Sequence, residues 1–291
     1  MLSITGLHKT YKGPVHALKG VDLDVPSGMF GLLGPNGSGK TTLMKIVATL
    51  LEPDAGTVMM DGVDLVARKG QTRCMLGYLP QEFGFYPTLT AEQTLDYFAK
   101  LKGVWETAER RNLIGLLLEK VNLSAHRNKR VGGFSGGMRQ RLGIAQALIG
   151  QPQLVIVDEP TAGLDPEERM RFHNLLSETL GEGTVVILST HIVSDVSNLC
   201  SHMAIIRYGE ILASCVPQRA IDELKETIWE GTVTREAVSR VKAECKVISS
   251  QTFNGLPRLR VVSKGKPPSE EFAPASPTLE DYYLSLVNEP A

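Results

Sequence analysis

The stretch Gly34-Pro35-Asn36-Gly37-Ser38-Gly39-Lys40-Thr41-Thr42 limits what this chain can become more than any other segment. Its glycines let the backbone fold into a nest of inward-facing N–H groups without side-chain clash. Before it runs Met29-Phe30-Gly31-Leu32-Leu33, apolar throughout, as a strand covered on both faces would be. After it, Leu43, Ile46, Val47 and Leu50 fall on one helical face. The expected order is strand, glycine loop, helix, with the nest and the positive end of the helix aimed at one place. Such a cradle suits a polyphosphate. Lys40 adds a mobile cation for the β- and γ-phosphates, and Thr41 offers a hydroxyl to Mg²⁺.

Two further motifs carry chemistry. Leu154-Val155-Ile156-Val157 is a short apolar run that ends in Asp158-Glu159. At the end of a buried strand, Asp158 suits a water-mediated contact to Mg²⁺. Glu159 comes next, points differently, and is placed to polarise an attacking water. Phe134-Ser135-Gly136-Gly137-Met138-Arg139-Gln140-Arg141 precedes a helical run, Leu142 to Ile149. Ser135 suits an N-cap, and Gly136-Gly137 leave backbone N–H groups open. This makes a second anion site. One nucleotide on a monomer has no evident use for both, whereas two copies arranged head to tail do, each closing over the nucleotide held by the other.

The rest of the chain organises around these segments. Leu2, Ile4 and Leu7, then Leu18, Val21, Leu23 and Val25, fit half-buried strands. Residues 56–60, 75–79 and Val185–Leu188 read as further strands, and about 90–150 as helical. Thr90 with Gln93 forms a capping box, and Thr107 with Arg110 marks a second helix start. Asp165-Pro166-Glu167-Glu168 is an N-cap, a first-turn Pro and first-turn acids for a helix over 166–180, stopped by Gly181 and Gly183. Composition shifts near 216. Beyond it come a strand (228–234), a helix (235–244), two strands (246–252 and 259–262), a Pro-rich tether (267–277) and a last helix from Thr278.

Composition excludes several classes. At 291 residues there is one large domain or a domain and a half, with enough chain for a real core. A formal net charge of −1 argues against a dedicated nucleic-acid binder. No apolar run approaches the ~18–20 residues of a membrane helix. The first ten residues lack a signal-peptide layout, so the chain is expected to stay in the cytosol unless a partner holds it at a membrane. Cys74, Cys200, Cys215 and Cys245 are too scattered for a disulfide framework or a zinc site, and all four are expected to be small buried apolar residues.

Over roughly residues 1–215 the sequence resembles the ATP-binding subunit of ABC transporters. The phosphate loop at 34–42, Ser135-Gly136-Gly137, and Val157-Asp158-Glu159-Pro160 stand in the family's order and approximate spacing. The resemblance implies further roles. Gln81 matches the glutamine that senses Mg²⁺ and the membrane partner, Gly163-Leu164-Asp165 the loop across the dimer seam, and His191 the switch histidine at the γ-phosphate. Tyr11 sits where the family stacks an aromatic ring on adenine, and Met138 continues the signature. The implied metal contacts are Thr41, Gln81 and, through water, Asp158. The implied fold is α/β: a P-loop NTPase core with a mostly parallel sheet, an antiparallel β subdomain and a helical signature subdomain at about 85–150. A small C-terminal α+β accessory region follows at 216–291.

The signature departs from the family in Phe134, where Leu is commonest, and in Met138, where many members carry Gln. Ser-Gly-Gly-Met-Arg-Gln-Arg and the ending Thr278-Leu-Glu-Asp-Tyr-Tyr-Leu resemble the branch that energises drug, antibiotic, peptide, sodium or haem-related exporters. The implied cofactors are ATP and Mg²⁺. The implied partners are an integral membrane permease and a second ATP-binding subunit, in a homodimer or a heterodimer, on the cytoplasmic face of the membrane, with no nucleic acid. Phe83, Phe85, Tyr86 and Pro87, just past Gln81, form an aromatic cluster that either docks the permease or packs into the helical subdomain. The alternative function is an ATPase of the same type acting on DNA or ribosomes. The cysteines do not allow the zinc modules of repair relatives, and no long coiled coil separates the motifs.

Overall fold

Alternation at the N-terminus gives two long strands, β1 (Leu2–Tyr11) and β2 (Val15–Val25), paired antiparallel with Leu2 opposite Val25 and Ile4 opposite Leu23. The structure, a computed structural model, describes residues 1–13, 15–161, 164–179 and 183–288. The alternation of β1 slips at Gly6 (φ +55°), where a bulge returns Leu7 to the core. β3 (Gly28–Leu33) runs into the glycine loop, and α1 (Lys40–Val47) leaves it. β4 (Ala55–Met60) and β5 (Val63–Asp64) complete an antiparallel sheet of order β2-β1-β4-β5. α2 (Lys69–Met75) then leads into β6 (Leu76–Leu79).

The helical stretch resolves into α3 (Ala91–Leu101), α4 (Thr107–Lys120) and α5 (Gly136–Ala147). The Thr90–Gln93 capping box is formed at α3. At α4 the expected Thr107 cap gives way to Glu106, whose carboxylate reaches the N–H of Glu109 while Thr107 is already helical. The chain continues through β7 (Leu154–Asp158), α6 (Pro166–Thr179), β8 (Val185–Thr190), α7 (Val193–Leu199), β9 (His202–Arg207) and β10 (Glu210–Cys215). Asp165 caps α6 by accepting from the N–H of Glu168 at 2.8 Å. The expected end of that helix at Leu180 and Gly181 lies outside the described residues, as does Gly163.

The central sheet has six strands in the order β10-β9-β3-β8-β7-β6, and the pairs from β9 to β6 are parallel. Register aligns Leu33 with Thr190, Ser189 with Asp158, and Val157 with Leu79. Four segments far apart in sequence therefore leave the same edge of one sheet, at the carboxyl ends of its strands, where open α/β sheets bind ligands.

The chain divides into two compact units, Met1–Ala213 and Ser214–Ala291. The second holds α8 (Pro217–Asp222), β11 (Ile228–Thr232), α9 (Ala237–Glu244), β12 (Lys246–Phe253), β13 (Leu256–Val262), β14 (Phe272–Pro274) and α10 (Leu279–Val287). Its sheet, β12-β13-β11-β14, is antiparallel throughout, with β11-α9-β12 straddling β13 as a split β-α-β unit. Val233, Val241, Leu259, Val261 and Phe272 form its core. The expected tether over 267–277 is thus interrupted by a strand. Its Pro274 closes a three-residue strand that pairs on one side only, where a missing N–H costs no ladder bond.

The cysteine expectation holds for Cys200 alone, whose burial pushes the thiol up to about 12. Cys74 is exposed, and Cys215 and Cys245 are half-buried. Cys74 stands near the end of the short α2, of which only Thr72 is buried.

α10 is fastened by one carboxylate. Asp281 accepts from Arg260 at 2.7 and 2.9 Å and from the Thr278 N–H at 2.9 Å, while Thr278 Oγ1 accepts from the Asp281 N–H at 3.2 Å. Asp281→Ala removes the cap and one of the two carboxylates that hold Arg260, leaving Glu230, at a cost of about 2 kcal/mol. Amide hydrogen exchange over 279–287 is expected to accelerate while the first unit keeps its protection; unchanged exchange there would show that Asp281 is not the anchor.

Candidate functional site

Beyond the carboxyl ends of β3, β6, β7 and β8, three polar side chains meet at one carboxylate. Glu159 follows β7 with φ +48°, a left-handed backbone that a non-glycine residue adopts only under constraint. Its N–H donates to the carbonyl of Ser189 on the neighbouring strand at 2.8 Å, which fixes the turn. Its Oε1 lies 3.5 Å from Lys40 Nζ, and its Oε2 accepts from Gln81 Nε2 at 3.1 Å and lies 3.3 Å from His191 Nδ1. Lys40, Gln81, Glu159 and His191, each singled out from sequence, are thus one cluster.

Lys40 is 4% exposed, and its ammonium also donates to the carbonyls of Gly34 (2.7 Å) and Pro35 (3.2 Å). Burial lowers its pKa, against the opposing pull of Glu159 and Asp158. The glycine loop admits nothing larger at Gly39, where φ is +110° and a Cβ would stand 2.6 Å from the carbonyl of Ala17. Ser38 is held by its backbone, donating to Pro35 at 3.2 Å and accepting from Gly209 at 2.9 Å. Thr41 and Thr42 are half-buried in the first turn of α1.

The deepest feature of the site is an unmet demand. Among the described residues, both carboxylate oxygens of Asp158, with Ser38 Oγ and Ser189 Oγ, are buried with no hydrogen bond of good geometry, although the Ser189 and Thr41 hydroxyls stand near Asp158. Burial raises the pKa of Asp158, and the nearby hydroxyls of Ser189 and Thr41 only partly offset it. Buried polar groups are almost always satisfied, so this set is built for something that binds there.

The comparisons with known proteins bear on what that is. The family profile "ABC transporter" matches residues 18–162. The chain is 40% identical over 212 residues to the ABC transporter ATP-binding protein YxlF of Bacillus subtilis, covering 72% of this chain and 69% of that one. It is 35% identical over 296 residues to the Nod factor export ATP-binding protein I of Rhizobium sp., covering 98% and 96%. Among solved structures, the ATP-binding cassette MJ0796, in a dimeric post-hydrolysis state bound to ADP and Pi, superposes with a TM-score of 0.67 at 27% identity, covering 74% of this chain and 98% of that one.

The chain belongs to the ABC transporter ATP-binding family. It is an ATP-binding and ATP-hydrolysing subunit built on a P-loop NTPase core.

On this ABC cassette the remaining sequence-predicted residues fall into two groups. Near the phosphate loop, the exposed Tyr11 places its hydroxyl 3.4 Å from Thr42 Oγ1. Away from it, Ser135 caps α5, its Oγ accepting from the Met138 N–H at 3.2 Å. Ser135 and Gly136 are exposed and Gly137 is buried against Glu168, which leaves no room for a Cβ unless that side chain swings away. Among the described residues no hydrogen bond joins 135–138 to 34–42. Phe134 is buried, so it fills the apolar role of the usual Leu. Asp165 is engaged in this chain as the α6 cap.

Sequence reasoning missed the residues behind the cluster. Gln140 Nε2 donates to the carbonyl of Pro160 at 2.7 Å, tying α5 to the residue after Glu159. Asp195 gathers Thr161, Thr190, Arg169 and His173. The only sequence signal was Arg169 and His173 four apart on one face of α6, which is as common on a solvated helix.

The donor set fits Mg²⁺, a hard cation that takes oxygen ligands: the unpartnered Asp158 carboxylate, the Thr41 hydroxyl and the Gln81 amide oxygen, free while its nitrogen serves Glu159. Without nucleotide this arrangement costs stability. The raised pKa means that Asp158 favours folding when protonated; that contribution is full below the ordinary carboxylate range and is lost as pH rises through its folded value. Asp158→Asn is expected to raise the melting temperature of the nucleotide-free protein at pH 7.5, and the gain is expected to vanish in acid. A lower melting temperature at pH 7.5 would refute this reading.

Proposed function

We propose that this subunit hydrolyses ATP in a head-to-tail pair of subunits and thereby drives export through a separate integral membrane permease. The observation that carries the reading is the convergence of Lys40, Gln81 and His191 on Glu159 beside the unpartnered Asp158. The reaction is ATP plus water to ADP plus phosphate, and the protein's share is positioning and charge neutralisation.

In the absence of nucleotide the Lys40 ammonium is held by Glu159 and two carbonyls. The phosphates of ATP would be its stronger partners, with the N–H groups of residues 34–42 around them and Tyr11 against adenine. Mg²⁺, held at Thr41 and Gln81 and, through water, at Asp158, would neutralise charge on the phosphate oxygens. Lys40 would then leave Glu159, whose carboxylate accepts a proton from the attacking water. His191 steadies the γ-phosphate. Ser135, Gly136, Gly137 and Met138 of the second copy would supply the opposing donors, which the exposure of Ser135 and Gly136 at the start of α5 favours. Asp165 would lie at the seam. Closure excludes water and completes the site, and loss of the γ-phosphate reopens it.

The permease would dock beside Gln81. Phe83 and Phe85 are half-buried, stacking edge-on with each other and, through Phe85, with Phe98. Tyr86 is 65% exposed and meets Tyr97, also exposed, edge-on. The phenylalanines of the cluster thus pack inward, as one of the two sequence readings has it, while Tyr86 faces solvent beside Tyr97 and leaves a surface open to a partner. Exposed rings on a packed base suit an interface. The Nod factor export relative supports an outward direction of transport.

Two outcomes check this reading. Glu159→Gln is expected to keep ATP affinity and cut turnover by about a hundredfold or more, so that an ATP-bound dimer accumulates on sizing columns. Normal steady-state ATPase activity in that variant would remove Glu159 as the base. Tyr86→Glu with Tyr97→Glu is expected to abolish co-purification with solubilised membranes while soluble ATP binding persists; retained membrane association would place the docking surface elsewhere.

A further inference from the structure

Asp195 lies on α7, four residues past His191, and has no solvent exposure. It has no part in the reaction above, yet it is the most heavily engaged side chain near the site. Its Oδ1 accepts from Arg169 Nε at 2.7 Å and lies 2.9 Å from His173 Nε2; Arg169 Nη2 is 2.6 Å from the same oxygen. Its Oδ2 accepts from Thr161 Oγ1 at 2.6 Å and from Thr190 Oγ1 at 3.1 Å. Burial alone would push its pKa up, but the bonds from His173, Thr161 and Arg169 outweigh it and hold the carboxyl below its usual range.

The position of these partners is what matters. Thr161 is two residues beyond Glu159. Thr190 immediately precedes His191, and its Oγ1 also accepts from the N–H of Ile192 at 3.0 Å, so His191 is bracketed on both sides. Arg169 and His173 stand one turn apart on α6, the helix capped by Asp165. One carboxylate thus links the chain leaving β7, the chain leaving β8, and α6. A buried carboxylate persists only where its partners hold it in a fixed geometry, and here that geometry is passed to two reacting groups.

We propose that Asp195 is a positioning residue for ATP hydrolysis: through Thr161 and Thr190 it sets the backbone from which Glu159 reaches the attacking water and His191 reaches the γ-phosphate. The proposal rests on the roles given above to Glu159 and His191. Among the described residues no hydrogen bond joins Asp195 to the phosphate loop at 34–42, so its effect falls on turnover and not on nucleotide binding.

The test is Asp195→Asn in the full chain, compared with the unaltered protein and with Glu159→Gln. The expected result is a kcat lower by about tenfold or more, with KM for ATP within about twofold. Because binding outlasts hydrolysis, the variant is also expected to accumulate the ATP-bound dimer on sizing columns, and adding Asp195→Asn to Glu159→Gln is expected to lower kcat little further. A merely structural role predicts something else, a common loss of melting temperature, ATP affinity and ATP-driven dimerisation, and that pattern overturns the proposal. Unchanged kcat overturns it too. Should Asp195→Asn fail to fold, Thr190→Val decides: kcat reduced about threefold or more at constant KM supports the proposal, and normal kcat overturns it. If Glu159→Gln itself hydrolyses ATP normally, the proposed function fails; if Glu159→Gln stalls while Asp195→Asn and Thr190→Val turn over normally, only this inference fails.

Discussion

The ion pair between Lys40 and Glu159 is the interaction on which the rest of the site turns. Both groups are buried, and each is expensive to bury alone. Held 3.5 Å apart they neutralise one another, and the same carboxylate collects Gln81 and His191. The phosphate loop, the end of β7, the residue after β8 and the segment after β6 are brought to one point by a single group. Asp158 is the counterpart, a carboxylate left without a partner in the same recess. The protein thus keeps one negative group occupied and another unmet, a division that suits a site waiting for a cation and a polyphosphate.

The sheet makes this convergence a matter of topology. Parallel strands in the order β9-β3-β8-β7-β6 place their carboxyl ends side by side, and the register aligns Leu33, Thr190, Ser189 and Asp158 across three of them. Segments separated by more than a hundred residues arrive together without any long loop having to fold onto the site. The helices around α5 present a different surface, with Ser135 and Gly136 open to solvent. That separation between the cluster at Glu159 and an exposed set of donors is what would make a second copy chemically useful.

Much of this was legible in the sequence because the constraints are local. The nest at 34–42 needs glycine whatever surrounds it, and a solid apolar run ending in Asp158-Glu159 can only be a buried strand with acids at its end. Caps at Thr90, Ser135 and Asp165 read correctly for the same reason, since each acts within three residues. Apart from the α4 cap, which falls at Glu106 and not at Thr107, the misreadings are non-local. Asp195 looks like any acid in a short helix until the fold brings it Thr161 and Arg169. The strand at Phe272–Pro274 is hidden by its prolines and is specified by pairing with β11. Cys74 is exposed because short α2 buries little of itself, which composition does not reveal.

The claim at the centre is that one catalytic site is made by two chains, the phosphate loop of one and the signature of the other. Mixing two inactive variants measures this directly. Lys40→Ala destroys the phosphate loop, and Ser135→Arg blocks the signature. In a head-to-tail pair formed from one of each, the intact loop of the second meets the intact signature of the first. The account predicts that ATPase activity, absent from either variant alone, reappears on mixing; a mixture as inactive as its components would contradict it.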